Sequence, residues 1–148
     1  MLHWVCKSFN DLSAVELYCV MQFRSQVFVV EQNCVYQDAD GKDNSCHHLL
    51  GYADNQLAAY ARLVPAGIAF PHISIGRVAT SPAHRGTGAG RQLMTEAIRE
   101  CYELFGRQPI TIGAQLYLKK FYESFGFVQV GEMYLEDGIP HIEMLAVG

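Results

Sequence analysis

The sequence predicts an α/β fold, a mixed sheet covered by helices. Helical stripes and strand-like runs are intermixed along the chain instead of falling into blocks, which excludes a bundle or a sandwich. The 148 residues, 50% hydrophobic and 18% charged, suit one domain over 1–148 that buries roughly two thirds of its surface.

The elements follow from local signals. Ser13-Ala14-Val15-Glu16 has the S-x-x-E form of a capping box, so a helix starts there and runs out near Val30, with Leu17, Met21 and Phe28 on one stripe and Arg24 in line between them. Segments 46–53 and 57–64 read as a hairpin closed by Asp54-Asn55. A loop bounded by Pro65 and Pro71 leads to a strand over Ile73–Thr80, ended by Ser81-Pro82. From Gly88 a second helix carries Leu93, Met94, Ala97, Ile98, Cys101, Leu104 and Phe105 on its inner face, turns Arg99, Glu100 and Glu103 away, and stops at Gly106. Pro109–Ala114 reads as a buried strand, and Leu118, Phe121, Tyr122 and Phe125 as a short amphipathic helix before Gly126. Two strands, Phe127–Leu135 and His141–Val147, finish the chain through a connection in which Asp137-Gly138 is the turn signal. The predicted order is α, β-hairpin, then β-α-β-α-β-β.

Composition excludes several function classes. A net charge of -4 and a pI of about 5.8 leave no excess of cations to meet a nucleic-acid backbone. The five cysteines are an odd number with no C-x-x-C pair, so neither a disulfide framework nor a zinc knuckle is expected, and a reducing cytoplasm fits. No aliphatic run approaches the length of a membrane span, and the opening residues do not read as an export leader. The loop with Tyr36, Asp38, Asp40 and Asp43 lacks the calcium-loop frame, so no metal is predicted; it reads as a solvated acidic loop or as a cap over a substrate.

The segment Arg85-Gly86-Thr87-Gly88-Ala89-Gly90-Arg91 joins a strand to a well-formed helix, so backbone N–H groups point outward at a positive helix end, an arrangement suited to an anion. A Rossmann fingerprint would need glycine where Arg91 stands, and a P-loop would need G-K after its last spacing; neither fits. The bland alternative is a connection that uses glycine for geometry alone. What fits is R-x-x-G-x-G, in Arg85, Gly88 and Gly90, with the strand Gly76–Thr80 before it and the helical Leu93-Met94 after it. This resembles the acyl-CoA motif of the GNAT acetyltransferase superfamily. A second segment agrees: Gln115, seven residues before Tyr122, with Leu118 and Tyr122-Glu123 through Gly126-Phe127, resembles the family's N-x-x-A-x-x-x-Y-E-x-x-G-F, with Gln115 and Leu118 replacing the commoner Asn and Ala. Leu17-Tyr18 through Arg24, Val27–Gln32, Tyr36-Gln37, Asp40-Gly41, His48 and Glu136–His141 resemble the ElaA-like branch.

The resemblance implies a GNAT fold, with a mixed, mostly antiparallel sheet whose strands ending at Thr80 and around Ile112 splay apart to admit the pantetheine arm. It implies acetyl-CoA as co-substrate, held by the backbone of Val78, Ala79 and Thr80, by Arg85, Gly86, Thr87, Gly88, Ala89, Gly90 and Arg91, and by Gln115. Tyr122 matches the position whose hydroxyl protonates the departing sulfur, although its place on an apolar stripe also suits a core tyrosine. Glu31, His48 and His141 are candidate bases, Glu31 because a partly buried carboxylate can have a raised pKa, and the histidines because imidazole titrates near neutrality. Arg24 interrupts an apolar stripe, so it snorkels, pairs with a buried carboxylate or faces a cavity where it could hold an acceptor together with Tyr36. The expected activity is direct acetyl transfer to a primary amine of a small molecule or peptide, with a non-catalytic CoA-binding sensor or partner module as the alternative. No nucleic-acid or membrane partner is expected, and a homodimer is compatible with the family.

Overall fold

The computed structural model describes residues 2–148. Its first element is one the sequence reading omitted: strand β1, His3–Ser8, precedes the first helix and pairs antiparallel with β2, His47–Ala53. The six residues show no alternation of buried and exposed positions, because β1 forms one edge of the sheet and is half-buried along most of its length. Gly51 on β2 makes this pairing close, since a Cβ there would come within 2.5 Å of the Trp4 ring.

Strands β3 (Gln56–Val64), β4 (Ile73–Thr80), β5 (Ile110–Gln115), β6 (Val128–Glu136) and β7 (Ile139–Ala146) complete one sheet in the order β1-β2-β3-β4-β5-β7-β6. Only β4 and β5 run parallel, and their pairing is confined to Ile73 with Ile110 and Ser74 with Thr111. Beyond those two pairs the strands separate, as the expected splay requires. The β2–β3 turn places Asp54 and Asn55 at φ 49° and 67°, and the β6–β7 turn places Asp137 and Gly138 at 51° and 77°. Both are the left-handed pairs that match hairpin twist. The second hairpin is therefore tighter than the predicted connection, with Ile139 and Pro140 already in β7.

Helix α1 (Ala14–Arg24) starts from the Ser13/Glu16 capping box in full and continues through wider π-helical turns over Ser25–Glu31. Its buried stripe differs from the expected one: Val20, Arg24 and Val27 face inward, while Leu17, Met21 and Phe28 are only half-buried. Helix α2 (Ala89–Phe105) buries Leu93, Met94, Ala97 and Cys101 in the main core with Leu49, Leu63, Ile75, Ile112 and Met144, and leaves Leu104 at its rim. Helix α3 (Lys119–Glu123) follows a short 3-10 turn over Leu116–Leu118. Among the described residues no helix is long and apolar enough to cross a membrane.

The chain between α1 and β2 has little regular structure, and ion pairs hold it. Arg24, fully buried, donates from Nε to Asp38 at 2.9 Å, from Nη1 to Asp43 at 2.6 Å and from Nη2 to the Asp38 carbonyl at 3.0 Å. Arg62 on β3 donates to both oxygens of Asp40, at 2.8 and 2.9 Å, and to Asp43 at 3.0 Å. Arg77 on β4 reaches Asp38 at 2.8 Å. The acidic loop is thus not simply solvated: Asp38 and Asp43 are buried, and each carboxylate is met by guanidinium. Burial works against the charged forms of Asp40 and Asp43, but hydrogen bonds and attraction from Arg62 and Arg24 outweigh it and hold both pKa values below the usual carboxylate range.

Because these two groups bind protons less readily when folded than when unfolded, the stability they contribute is present at neutral pH and is lost as pH falls below about 4. Asp43→Asn should cost about 3–5 kcal/mol, since it leaves Arg24 and Arg62 short of an anion in a buried setting. Urea unfolding at neutral pH, repeated at decreasing pH, checks both: the wild-type protein should lose stability on acidification more steeply than the variant.

Candidate active site

A cavity of about 780 Å³ opens where β4 and β5 part. Its walls are Ile75–Thr80 of β4, Ile112–Gln115 of β5, the end of α1 at Val27, Phe28, Glu31 and Gln32, and Tyr36 and Asp40 from the charged loop. Tyr117, Leu118, Phe121 and Tyr122 come from the α3 region, Arg85 and Gly90 from the glycine turn, and Glu136, Asp137, Ile139 and His141 from the β6–β7 hairpin. Two strands that separate leave backbone and side chains around a gap that neither strand fills, and the elements at its mouth come from both ends of the sequence.

The β4 wall is irregular. Tyr60 stands opposite Ala79 and Arg62 opposite Gly76, so Arg77 and Val78 together oppose only Ala61. This is a β-bulge, and Arg77 adopts φ 49° within it, a costly conformation for a residue with a Cβ. The ion pair to Asp38, and the packing of its guanidinium 5.6 Å from the centre of the Tyr36 ring, hold Arg77 in place. Sequence reading did not single out Arg77 for this, because nothing local distinguishes a bulge arginine from a strand arginine.

The glycine turn supplies the rim. Gly86 and Gly88 have φ 77° and 85°, and a Cβ built at either would meet no atom within 4 Å. Gly88 caps the N-terminus of α2, so the positive end of the helix dipole lies beside this open space, a setting suited to phosphate; Gly86 and Gly88 themselves line neither the main cavity nor the smaller hollow. Of the residues expected there, Arg85 and Gly90 line the main cavity; Thr87 and Ala89 lie against a smaller hollow with His84 and Gln92. Arg91 packs over Phe125, 4.6 Å from its ring centre, and donates to Ser124 Oγ at 2.9 Å. Val78, Ala79, Thr80 and Gln115 all line the main cavity.

The candidate chemical groups separate clearly. Tyr122 is buried to 6% exposure at the cavity wall, and burial pushes its phenol up to about 12, so it holds its proton at neutral pH. His141 sits on the opposite hairpin with Nδ1 2.7 Å from the Ile139 carbonyl. A carbonyl can only accept, so Nδ1 carries the hydrogen, and the other ring nitrogen, Nε2, lies 3.5 Å from the Glu136 carboxylate.

His48 is elsewhere. It is fully buried, with Nε2 3.0 Å from the Asp43 carbonyl and Nδ1 2.7 Å from the Tyr60 hydroxyl, and burial lowers its pKa. Both ring nitrogens are used in support of the charged loop. Arg24 takes the second of its three options, pairing with buried carboxylates, and does not reach the cavity surface. Glu31 does reach it, but its pKa is lowered, not raised: Arg85 donates to its carboxylate through two nitrogens, one at 2.8 Å. Tyr36 lines the wall with its hydroxyl 3.3 Å from Asp38.

Comparison with known proteins agrees with this geometry. A sequence description of the acetyltransferase (GNAT) domain matches residues 10–147. Protein ElaA of Escherichia coli is 44% identical over 146 residues, 97% of this chain and 95% of that protein. A UPF0039 protein of Synechocystis is 43% identical over 97% of this chain and 94% of its own length. An acyl-CoA N-acyltransferase from Pseudomonas aeruginosa superposes with a TM-score of 0.95 at 45% identity, covering 99% of this chain and 100% of that one. The crystal structure of E. coli ElaA gives 0.92 at 43% identity, with 99% of each chain covered. A splayed β4–β5 pair, a glycine turn leading into α2 and this likeness along nearly the whole length lead to one conclusion: the chain belongs to the GNAT acetyltransferase family.

Proposed function

We propose that the protein transfers an acetyl group from acetyl-CoA to a primary amine of a small molecule or peptide, directly, with both substrates bound at once. The observation that carries this reading is the cavity between β4 and β5, with an open glycine turn at one side and the Tyr122 phenol and the His141 imidazole in its walls. The open space above Gly86 and Gly88, with the N-terminus of α2 behind it, is chemically suited to the CoA pyrophosphate. Backbone groups of Val78, Ala79 and Thr80 offer an edge to the amides of the pantetheine arm, as a neighbouring strand would.

Acetyl-CoA supplies an activated thioester carbonyl. The bulge at Arg77 and Val78 takes backbone out of the β3 ladder beside the cavity, which makes the Val78 N–H the candidate polariser of that carbonyl. In the proposed reaction the amine nitrogen bonds to the carbonyl carbon and gives a proton to His141 Nε2. The carbon–sulfur bond breaks, and the sulfur takes the Tyr122 proton. Glu31 and His48 are not preferred as the base, the first because its carboxylate is solvent-exposed and weakly basic and the second because its ring is enclosed. The acceptor side is assigned to Asp137 and Tyr36, both of which line the cavity.

Calorimetric titration of acetyl-CoA into the purified protein should give micromolar or tighter binding; absence of binding would remove the basis of the reading. Gly88→Val should keep the fold, since its side chain meets open space, at a backbone cost of about 1–2 kcal/mol. It should weaken acetyl-CoA binding at least tenfold by placing a branched side chain in the open space assigned to phosphate; unchanged affinity in the folded variant would refute the assignment of the turn. Tyr122→Phe keeps the ring that packs at the cavity wall, so stability and acetyl-CoA affinity should hold while turnover falls by about 10²-fold or more. His141→Gln should lower turnover similarly, again with binding retained. Release of CoA thiol with a panel of primary amines measures both, and a protein that only senses CoA would show no release that depends on the amine.

A further inference from the structure

The ion pair between Glu31 and Arg85 joins the two halves of the cavity. Arg85 stands at the start of the glycine turn and also donates to the Thr80 carbonyl at 3.0 Å, at the cofactor side. Glu31 ends the π-helical turns after α1, and three residues on, Cys34 Sγ lies 3.5 Å from the Asp137 carbonyl, so this end of the helix abuts the β6–β7 turn at the acceptor side. The pair uses two guanidinium nitrogens and both carboxylate oxygens. Its side chains are 40% and 34% exposed, so solvent weakens the attraction and a stronger anion can displace the carboxylate. A phosphate is such an anion, with more charge and more acceptor oxygens for the same fork of donors.

We propose that Glu31 is an internal competitor for the CoA phosphates at Arg85, and that their arrival moves Arg85 from carboxylate to phosphate, leaving Glu31 a free anion at the acceptor side. This rests on the cofactor reading given above. An amine acceptor enters as an ammonium at neutral pH, so it meets an unpaired carboxylate at Glu31 only after the cofactor has bound.

The test uses CoA itself, titrated into the full-length wild type, Glu31→Gln, Arg85→Gln and the double variant. Glu31→Gln should bind CoA about threefold more tightly, as loss of an exposed competing pair predicts. Arg85→Gln should bind more weakly, and in its background the gain from Glu31→Gln should vanish. No gain in the single variant, or an equal gain in both backgrounds, as removal of an unconnected negative charge would produce, overturns the proposal. An independent readout is the carboxyl carbon resonance of Glu31 followed against pH: its titration should move upward when CoA is bound, and an unmoved titration overturns the exchange. Failure of the wild type to bind CoA would instead remove the cofactor reading, and the exchange with it, whereas binding by the wild type with no gain in Glu31→Gln overturns the exchange alone.

Discussion

Three arginines from three separate elements converge on three aspartates of one loop, and much of the site depends on that meeting. Arg24 comes from α1, Arg62 from β3 and Arg77 from the β4 bulge. Each would be costly to bury alone, since a lone guanidinium or carboxylate loses its hydration without return. Together they balance in charge and place nearly every donor opposite an acceptor; Arg62 Nε is the one guanidinium nitrogen of the cluster left buried without a partner. The loop carrying Tyr36 and Asp40 is thereby pinned against the sheet as one wall of the cavity. His48 and Tyr60 extend the same cluster inward through the Asp43 carbonyl, which accounts for a buried histidine that has no part in the proposed chemistry.

The cluster also bears on the reacting centre through Arg77. A left-handed φ in mid-strand is unfavourable for any residue with a Cβ, and it persists where neighbouring contacts over-determine it. Asp38 and the Tyr36 ring supply those contacts. In this way a charge pair on the loop side stabilises the bulge beside which the thioester carbonyl is proposed to lie. The sheet contributes the other half of the arrangement. With only two residue pairs joining β4 to β5, the middle of the sheet is held by its flanks, through β3 on one side and β7 on the other, and the gap between can remain open without the sheet coming apart.

Charge is distributed unevenly around that gap. Arg85 and the N-terminus of α2 stand at one rim, while Glu136 and Asp137 stand on the side where α1, the loop and the β6–β7 hairpin meet. Opposite fields within one cavity suit the phosphate-bearing cofactor and the cationic acceptor of the proposed reaction, each on its own side. Glu31 and Arg85 are the place where the two fields touch.

Much of this could be read without the structure. Capping, hydrophobic period and turn residues are local, so the α1 start at Ser13, the whole of α2 and both hairpin turns followed from neighbouring residues alone. The R-x-x-G-x-G turn and Tyr122 were legible for the same reason, as motifs of fixed spacing. Strand β1 was not, because an edge strand half-buried along its length carries no alternation, and its partner lies about forty residues away. Nor were the fates of Arg24, Glu31 and His48: each was a chemically reasonable candidate, and the choice among core, ion pair and catalytic wall depends on partners 14 to 54 positions distant for the two charged residues, and on Tyr60, 12 positions away, for the histidine. Sequence by itself determined the family and every helix and strand that carries a local pattern, β1 being the element that does not. Tertiary structure alone decided which ionisable groups face the cavity, because burial and pairing are set by what the folded chain brings together.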